Sequence, residues 1–257
     1  MIKVGITECG DPAFNKEVFA RLLPANIIIT KNVMTIEEEL LENKEKIILH
    51  ATVTGMGGST MEPFVPGLRT SIDGILSLIR RGFPARQIVY RVDPIIPEPE
   101  WSECAMTAIR EGSALARAGV ERMRYSIIDL YPHVRKRLQE KHVYLKNGSF
   151  SMSYGEKQEF CKEIEQLGKD AGFRYIEICG EYTGTRVGCI SEKDIRILGL
   201  DPTELPSGTS GQRKECLCCA GKTELLRTRK RCPHKCLYCY WKKDGESTTH
   251  HVTSNGV

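Results

Sequence analysis

Long apolar runs are missing from this sequence of 257 residues. Nothing approaches the roughly 18 consecutive apolar residues of a membrane span, and the opening Met-Ile-Lys-Val-Gly-Ile-Thr lacks the layout of a signal peptide. The expectation is a cytoplasmic chain with no membrane partner. Internal repeats and low-complexity segments are also absent, which sets aside solenoids and compositional linkers. Charge bias is small: 37 Lys and Arg against 33 Asp and Glu leave +4, too mild by itself to announce a nucleic-acid protein. With 40% apolar and 27% charged residues the chain can bury an ordinary core. What stands out is cysteine, 11 residues, six of them between Cys216 and Cys239. Without an export signal, metal or redox chemistry is favoured over a disulfide framework.

Short β-branched runs alternate with amphipathic stretches. The predicted strands are Ile2–Thr7, Ile27–Thr30, Ile47–Thr54, Ile88–Asp93, Arg124–Leu130 and Arg174–Cys179. Helical patterns cover Asn15–Leu23, Thr35–Asn43, Ser71–Arg81, Trp101–Ala118, Val134–Lys141 and Glu156–Ala171. Several strands are apolar almost throughout, as parallel strands covered on both faces are. The alternation predicts an α/β fold of repeated βαβ units, curling toward a partial or complete parallel (β/α) barrel. Residues 1–200 form its body, 201–246 a Cys-rich segment that completes it through a strand at Thr223–Arg229, and 247–257 a frayed tail.

Cys232, Cys236 and Cys239 are spaced C-x3-C-x2-C. Three thiolates on so short a loop can hold three irons of a 4Fe–4S cluster and leave the fourth open. The same stretch offers a second pattern. Cys216 and Cys219 form one C-x2-C and Cys236 and Cys239 another, 16 residues apart, as in a structural zinc site. That alternative makes the chain a non-catalytic binding module, stabilised by zinc or an iron–sulfur cluster. Spacing alone leaves both open.

Arg231–Tyr240 resembles the cluster loop of radical S-adenosylmethionine (SAM) enzymes. The resemblance implies that Cys232, Cys236 and Cys239 carry a 4Fe–4S cluster, that S-adenosyl-L-methionine chelates its open iron, and that Tyr238 lies against the adenine. Reductive cleavage of SAM would then release a 5′-deoxyadenosyl radical that takes hydrogen from substrate. It also implies a reducing electron donor such as flavodoxin or ferredoxin. In that family the loop follows the first strand, whereas here it lies near the C-terminus, which implies a circularly permuted barrel with Thr223–Arg229 first and Ile2–Thr7 second. The turn Glu8-Cys9-Gly10-Asp11-Pro12 then stands where the family has a Gly-Gly-Glu-Pro-like turn for the cofactor's amino group. The whole chain further resembles an uncharacterised bacterial family, a domain of unknown function with a radical-SAM-like cysteine cluster near its C-terminus. The resemblance rests on Asp11-Pro-Ala-Phe14, Thr30-Lys-Asn32, Arg91-Val-Asp-Pro94, Ser126–Tyr131, Gly188-Cys-Ile190 and Gln212–Cys218. A more distant resemblance, to spore photoproduct lyase and DNA-repair photolyases, implies a nucleic-acid base or lesion as substrate.

Chemistry in parallel barrels gathers at the C-terminal ends of strands. That rule selects Glu8, Asp11, Lys31, Asn32, Thr52, Thr54, Arg91, Asp93, Asp129, Tyr131, Glu177 and Glu181. Arg91, Asp93 and Asp129 are the candidate catalytic residues, with a buried structural ion pair as the plainer reading of the first two. Gly10, Asp11, Lys31, Asn32 and Tyr238 are the candidate cofactor-binding residues. Cys179, Cys189, Cys216 and Cys218 could hold a second iron–sulfur cluster or zinc, with simple packing as the alternative for Cys179. Cys189 is expected to begin a helix. Cys104 and Cys161 read as packing residues, His234 as a neighbour of the cluster rather than a ligand, and Gly55–Thr60 as an ordinary loop. Arg227, Arg229, Lys230, Arg231, Lys235, Lys242 and Lys243 either form a rim for nucleic-acid phosphates or balance an anionic cluster.

Overall fold

The computed structural model describes residues 1–181, 183–208, 216–226 and 230–244. The expected tail, His250, His251, residues 209–215, Arg227 and Arg229 lie outside the described residues. Eight strands form one all-parallel sheet: β1 (Val4–Ile6), β2 (Ala25–Thr30), β3 (Ile47–Thr52), β4 (Ile88–Ile95), β5 (Arg122–Ile127), β6 (Tyr175–Cys179), β7 (Arg186–Val187) and β8 (Lys222–Glu224). Their order is β7-β6-β5-β4-β3-β2-β1-β8. The sheet is thus a curled half-barrel, the partial form of the predicted architecture. β8 adds on the outer side of β1, with Val4 opposite Lys222 and Ile6 opposite Glu224. That pairing returns the Cys-rich segment to the start of the chain. Glu224 secures it by accepting from the backbone N–H groups of Glu8, Cys9 and Leu226.

The convex face carries α1 (Glu37–Glu42), α2 (Leu68–Arg80), α3 (Pro99–Glu111), α4 (Ser113–Arg117) and α6 (Tyr154–Asp170), whereas α5 (Pro132–Gln139) packs through Val134 and Leu138 in a cluster with Cys236, Leu237 and Tyr238. The outward residues of each strand, such as Leu49, Tyr90, Met123 and Ile178, form the main core against α2, α3 and α6. Period-two alternation sends their neighbours to the concave face. There Val4, Ile6, Ile27, Ile48 and Val89 pack against Ile190 and Ile195, so the short helix α7 (Glu192–Ile197) plugs the half-barrel floor. Cys189 precedes that helix instead of beginning it: Ser191 is the N-cap, and its hydroxyl and the Asp194 carboxylate form a capping box.

A charged layer lies above the apolar floor. Arg122 donates to Asp194 at 2.6 Å, Arg124 donates to Glu177 at 2.7 Å, and Arg122 also reaches Glu177 at 3.4 Å. His50 on β3 stands 3.4 Å from Arg124. Burial and the adjacent Arg124 hold His50 well below its ordinary pKa, so the ring stays neutral. Each guanidinium finds a carboxylate partner, which is why cations can sit inside strands buried on both faces. Among the described residues, no helix is long and apolar enough to cross a membrane.

Candidate functional site

Above the charged layer, at the C-terminal strand ends, lies a cavity of about 290 Å³. It is lined by Glu8, Gly10, Asp11, Lys31, Thr52, Arg91, Asp93, Asp129 and Tyr131 from the strand ends, together with both predicted cysteine sets. Cys232, Cys236 and Cys239 line it, and so do Cys179, Cys189, Cys216 and Cys218. Cys219 does not line it and packs instead with the floor cluster. The zinc set Cys216, Cys219, Cys236 and Cys239 therefore does not converge. Cys161 is buried in α6 and Cys104 half-buried in α3, both packing as expected.

The cluster loop is held by its backbone carbonyls. Arg137 from α5 donates to the carbonyls of Leu237, Cys239 and Trp241 at 2.9, 2.7 and 2.8 Å. Arg231 donates to those of Lys235 and Cys236 and pairs with Asp244. The Leu237 N–H donates to the Met61 carbonyl at 3.0 Å, and the Tyr240 hydroxyl to that of Glu8. These contacts fix the loop while leaving its sulfurs toward the cavity. Burial pushes all three thiols up, Cys236 to about 12, so they become thiolates only when a metal displaces their protons.

Asp11 is a structural knot. Its carboxylate accepts from Ala13 N–H, Thr30 Oγ1, Lys31 N–H and His234 Nε2, all between 2.7 and 3.0 Å. Burial alone would raise its pKa, yet the bonds from His234, Lys31 and Ala13 hold it below the usual carboxylate range. With its acceptors spent, Asp11 organises the turn and has little capacity left for a cofactor. His234 presents its other nitrogen to the Phe64 carbonyl at 2.9 Å. Both ring nitrogens face acceptors, so neither directs a lone pair at the cavity, in keeping with a neighbour and not a ligand.

Tyr238 lines the cavity, but its hydroxyl donates to Glu62. Glu62 is fully buried and also accepts from Lys31 Nζ at 2.8 Å and Thr54 Oγ1 at 2.7 Å. Sequence reasoning missed Glu62, and with it the part played by the Gly55–Thr60 loop, which delivers this carboxylate. Among the predicted residues, Asn32, Thr54, Glu177 and Glu181 do not line the cavity. The Asn32 N–H bonds to Thr30 Oγ1, so the chain turns outward there into a 3-10 turn. Glu177 belongs to the charged layer, and Glu181 is paired with Lys157.

Arg91 and Asp93 both face the cavity and are paired with each other, with Ser126 Oγ donating to Asp93 at 2.6 Å. The ion pair is thus internal yet accessible from the cavity, compatible with both readings of these residues. Thr52 Oγ1 is buried on the cavity wall with no hydrogen-bond partner. An orphaned hydroxyl there fits a site that completes its bonding with a ligand. Of the basic residues in the tail, Lys230 lines the cavity, Arg231 is engaged by carbonyls and Asp244, and Lys235 stands 5.9 Å from the Phe64 ring centre.

No curated protein matches the chain. Among solved structures it is similar to a Thermomonospora fusca β-mannanase. The mannohexaose complex matches with 11% identity and a TM-score of 0.35, and the mannotriose complex with 12% and 0.34. Each match covers 78% of this chain and 76% of that one. Likeness at this level carries nothing about substrate. A family model described as "Domain of unknown function (DUF1848)" matches residues 4–241, nearly the whole chain, and the protein belongs to that family.

Proposed function

We propose that the protein is a radical SAM enzyme, with Cys232, Cys236 and Cys239 as the ligands of a 4Fe–4S cluster in a permuted half-barrel. One observation carries the reading: the three thiols of the C-terminal loop face the cavity at the C-terminal strand ends, where the sheet gathers its polar residues. The β8–β1 pairing supports the permuted order, because it sets the strand before the loop beside the strand that ends in Glu8 and Gly10. Among the described residues, the only trio of metal-ligating side chains with all ligand atoms within 4.8 Å of one another is Glu8, Cys189 and Cys218. The tripod sulfurs are more widely spread than a single tetrahedral ion would draw them, as thiolates on separate irons are.

When bound, the cluster and SAM together supply reductive cleavage of a sulfonium and abstraction of hydrogen from substrate. The chain's own residues bind, orient and shield. Arg91 and Asp93 offer opposite charges that match the carboxylate and ammonium of an amino acid. Thr52 contributes its unused hydroxyl. Tyr238, Tyr240 and Trp241 supply apolar wall beside the tripod, and Lys31 sits 5.5 Å from the Tyr238 ring centre. The cavity is near the small end of small-molecule sites. A polymeric substrate would have to present one residue, or a nucleobase turned out of its stack.

The test is anaerobic purification followed by dithionite, SAM and an assay for 5′-deoxyadenosine. The wild type and Cys219→Ser are expected to form it, and Cys232→Ser to lose at least 100-fold of the rate, on the order of removing a group on which the reaction depends. Formation by Cys232→Ser at the wild-type rate contradicts the assignment.

A further inference from the structure

Four more thiols from separate parts of the chain line the cavity that the tripod lines. Cys179 ends β6, Cys189 lies between β7 and α7, and Cys216 and Cys218 precede β8. Cys189 hydrogen-bonds to both Cys179 and Cys218, and Cys218 to Cys216, so the sulfurs form a continuous group. The ligand atoms of Cys189, Cys218 and Glu8 all lie within 4.8 Å of one another. The backbone is built for this approach. A β-carbon on Gly188 would collide with the Leu217 carbonyl, so only glycine lets the Cys189 segment lie against Cys218.

Cations stand near the group. Arg91 and Arg124 act on Cys179, and Lys222 acts on Cys189 and Cys218. Each of these cations is also paired with a carboxylate, Arg91 with Asp93, Arg124 with Glu177 and Lys222 with Glu8.

We propose that Cys179, Cys189, Cys216 and Cys218 form a second metal site, for a single thiophilic divalent ion of the zinc type, with Glu8 as an oxygen donor at its margin. Zinc–sulfur bonds of about 2.3 Å place tetrahedral thiolates about 3.8 Å apart, a spacing compatible with Cys189 and Cys218, and Cys179 and Cys216 would close in on the bound ion. A cubane takes its thiolates on separate irons and holds them farther apart. The site shares the cavity with the tripod, so its ion forms part of the wall that a substrate meets. Nothing in this assignment depends on what the tripod holds.

Metal analysis of the full-length protein, purified anaerobically, tests it. The wild type should contain about one zinc per chain beyond its iron. Cys189→Ser and Cys216→Ser should each lose that zinc and keep the iron, whereas Cys236→Ser should lose iron and keep the zinc. Because a variant can fail to fold, the wild type supplies a second measurement: removing zinc with a chelator should expose four further thiols to a thiol reagent, and adding zinc alone should protect them again. Unchanged zinc in Cys189→Ser, no zinc in the wild type, or additional iron and sulfide in its place each overturn the proposal. Failure of the tripod assignment looks different, because Cys236→Ser would then retain its iron.

Discussion

Truncating Glu62 to alanine is expected to cost about 3–5 kcal/mol of folding stability, the usual penalty for leaving one member of a buried ion pair uncompensated. Glu62 is fully buried and is the shared acceptor of Lys31, Thr54 and Tyr238. Its pKa stays below the usual carboxylate range although burial opposes this, because Lys31 and the two hydroxyl donors favour the ionised form. Without it, Lys31 keeps a largely buried ammonium with no carboxylate at hand, and Tyr238 loses the bond that fixes its ring beside Cys236 and Cys239. The double change Lys31→Met with Glu62→Leu removes both charges and should recover most of the loss, since apolar replacement of a buried pair is often close to neutral. Urea denaturation of the metal-free protein measures both. A loss below 1 kcal/mol for Glu62→Ala would mean that the hub is solvated and does not hold the cluster loop.

Glu177→Ala should be as damaging, for a different reason. It leaves Arg122 and Arg124, two residues apart on one strand and facing the same way, with Asp194 as the remaining carboxylate. Again about 3–5 kcal/mol is expected. The same layer makes stability fall with acid in two steps. His50 has a folded pKa well below its unfolded value of about 6.5, so between the two the unfolded chain binds the extra proton. Stability from His50 is thus complete above about pH 6.5 and is lost as pH falls toward the folded value, by up to about 1.4 kcal/mol per pH unit. Asp194 is also depressed: burial opposes this, but Arg122 and Arg124 outweigh it. Its contribution is present above the unfolded value of about 3.9 and lost below it. His50→Gln should abolish the upper step and leave the lower one. Denaturation midpoints that do not change between pH 7 and 5 in the wild type would contradict this.

The parallel strands were legible because both their faces are buried, which makes runs such as Ile27–Ile29 or Ile47–Leu49 apolar throughout. Their ends were not legible where the concave face turns polar. Arg122 begins β5 two residues before the predicted strand start at Arg124, and its role is set by distant partners. Its partners Glu177 and Asp194 lie 55 and 72 residues away. The two-residue β7 gives no periodic signal, whereas the Ser191-Glu-Lys-Asp194 capping box ahead of α7 was readable and passed over. The tripod was visible as spacing and the other four cysteines only as a set without a spacing pattern, and folding brings each to the one cavity. Glu62 and Arg137 were invisible. One is a lone carboxylate in a Gly- and Pro-rich loop and the other one cation among several on α5, and each takes its role chiefly from residues more than 30 positions away, Lys31 and Tyr238 for Glu62 and the cluster loop for Arg137.

An open iron at the Cys232, Cys236 and Cys239 tripod is the account's central claim, and electron paramagnetic resonance of the reduced, anaerobic protein tests it most directly. The account predicts a 4Fe–4S signal that shifts when SAM is added, because the cofactor then occupies the position the three thiolates leave free. A protein that holds zinc alone at the tripod, or a cluster signal identical with and without SAM, would contradict it.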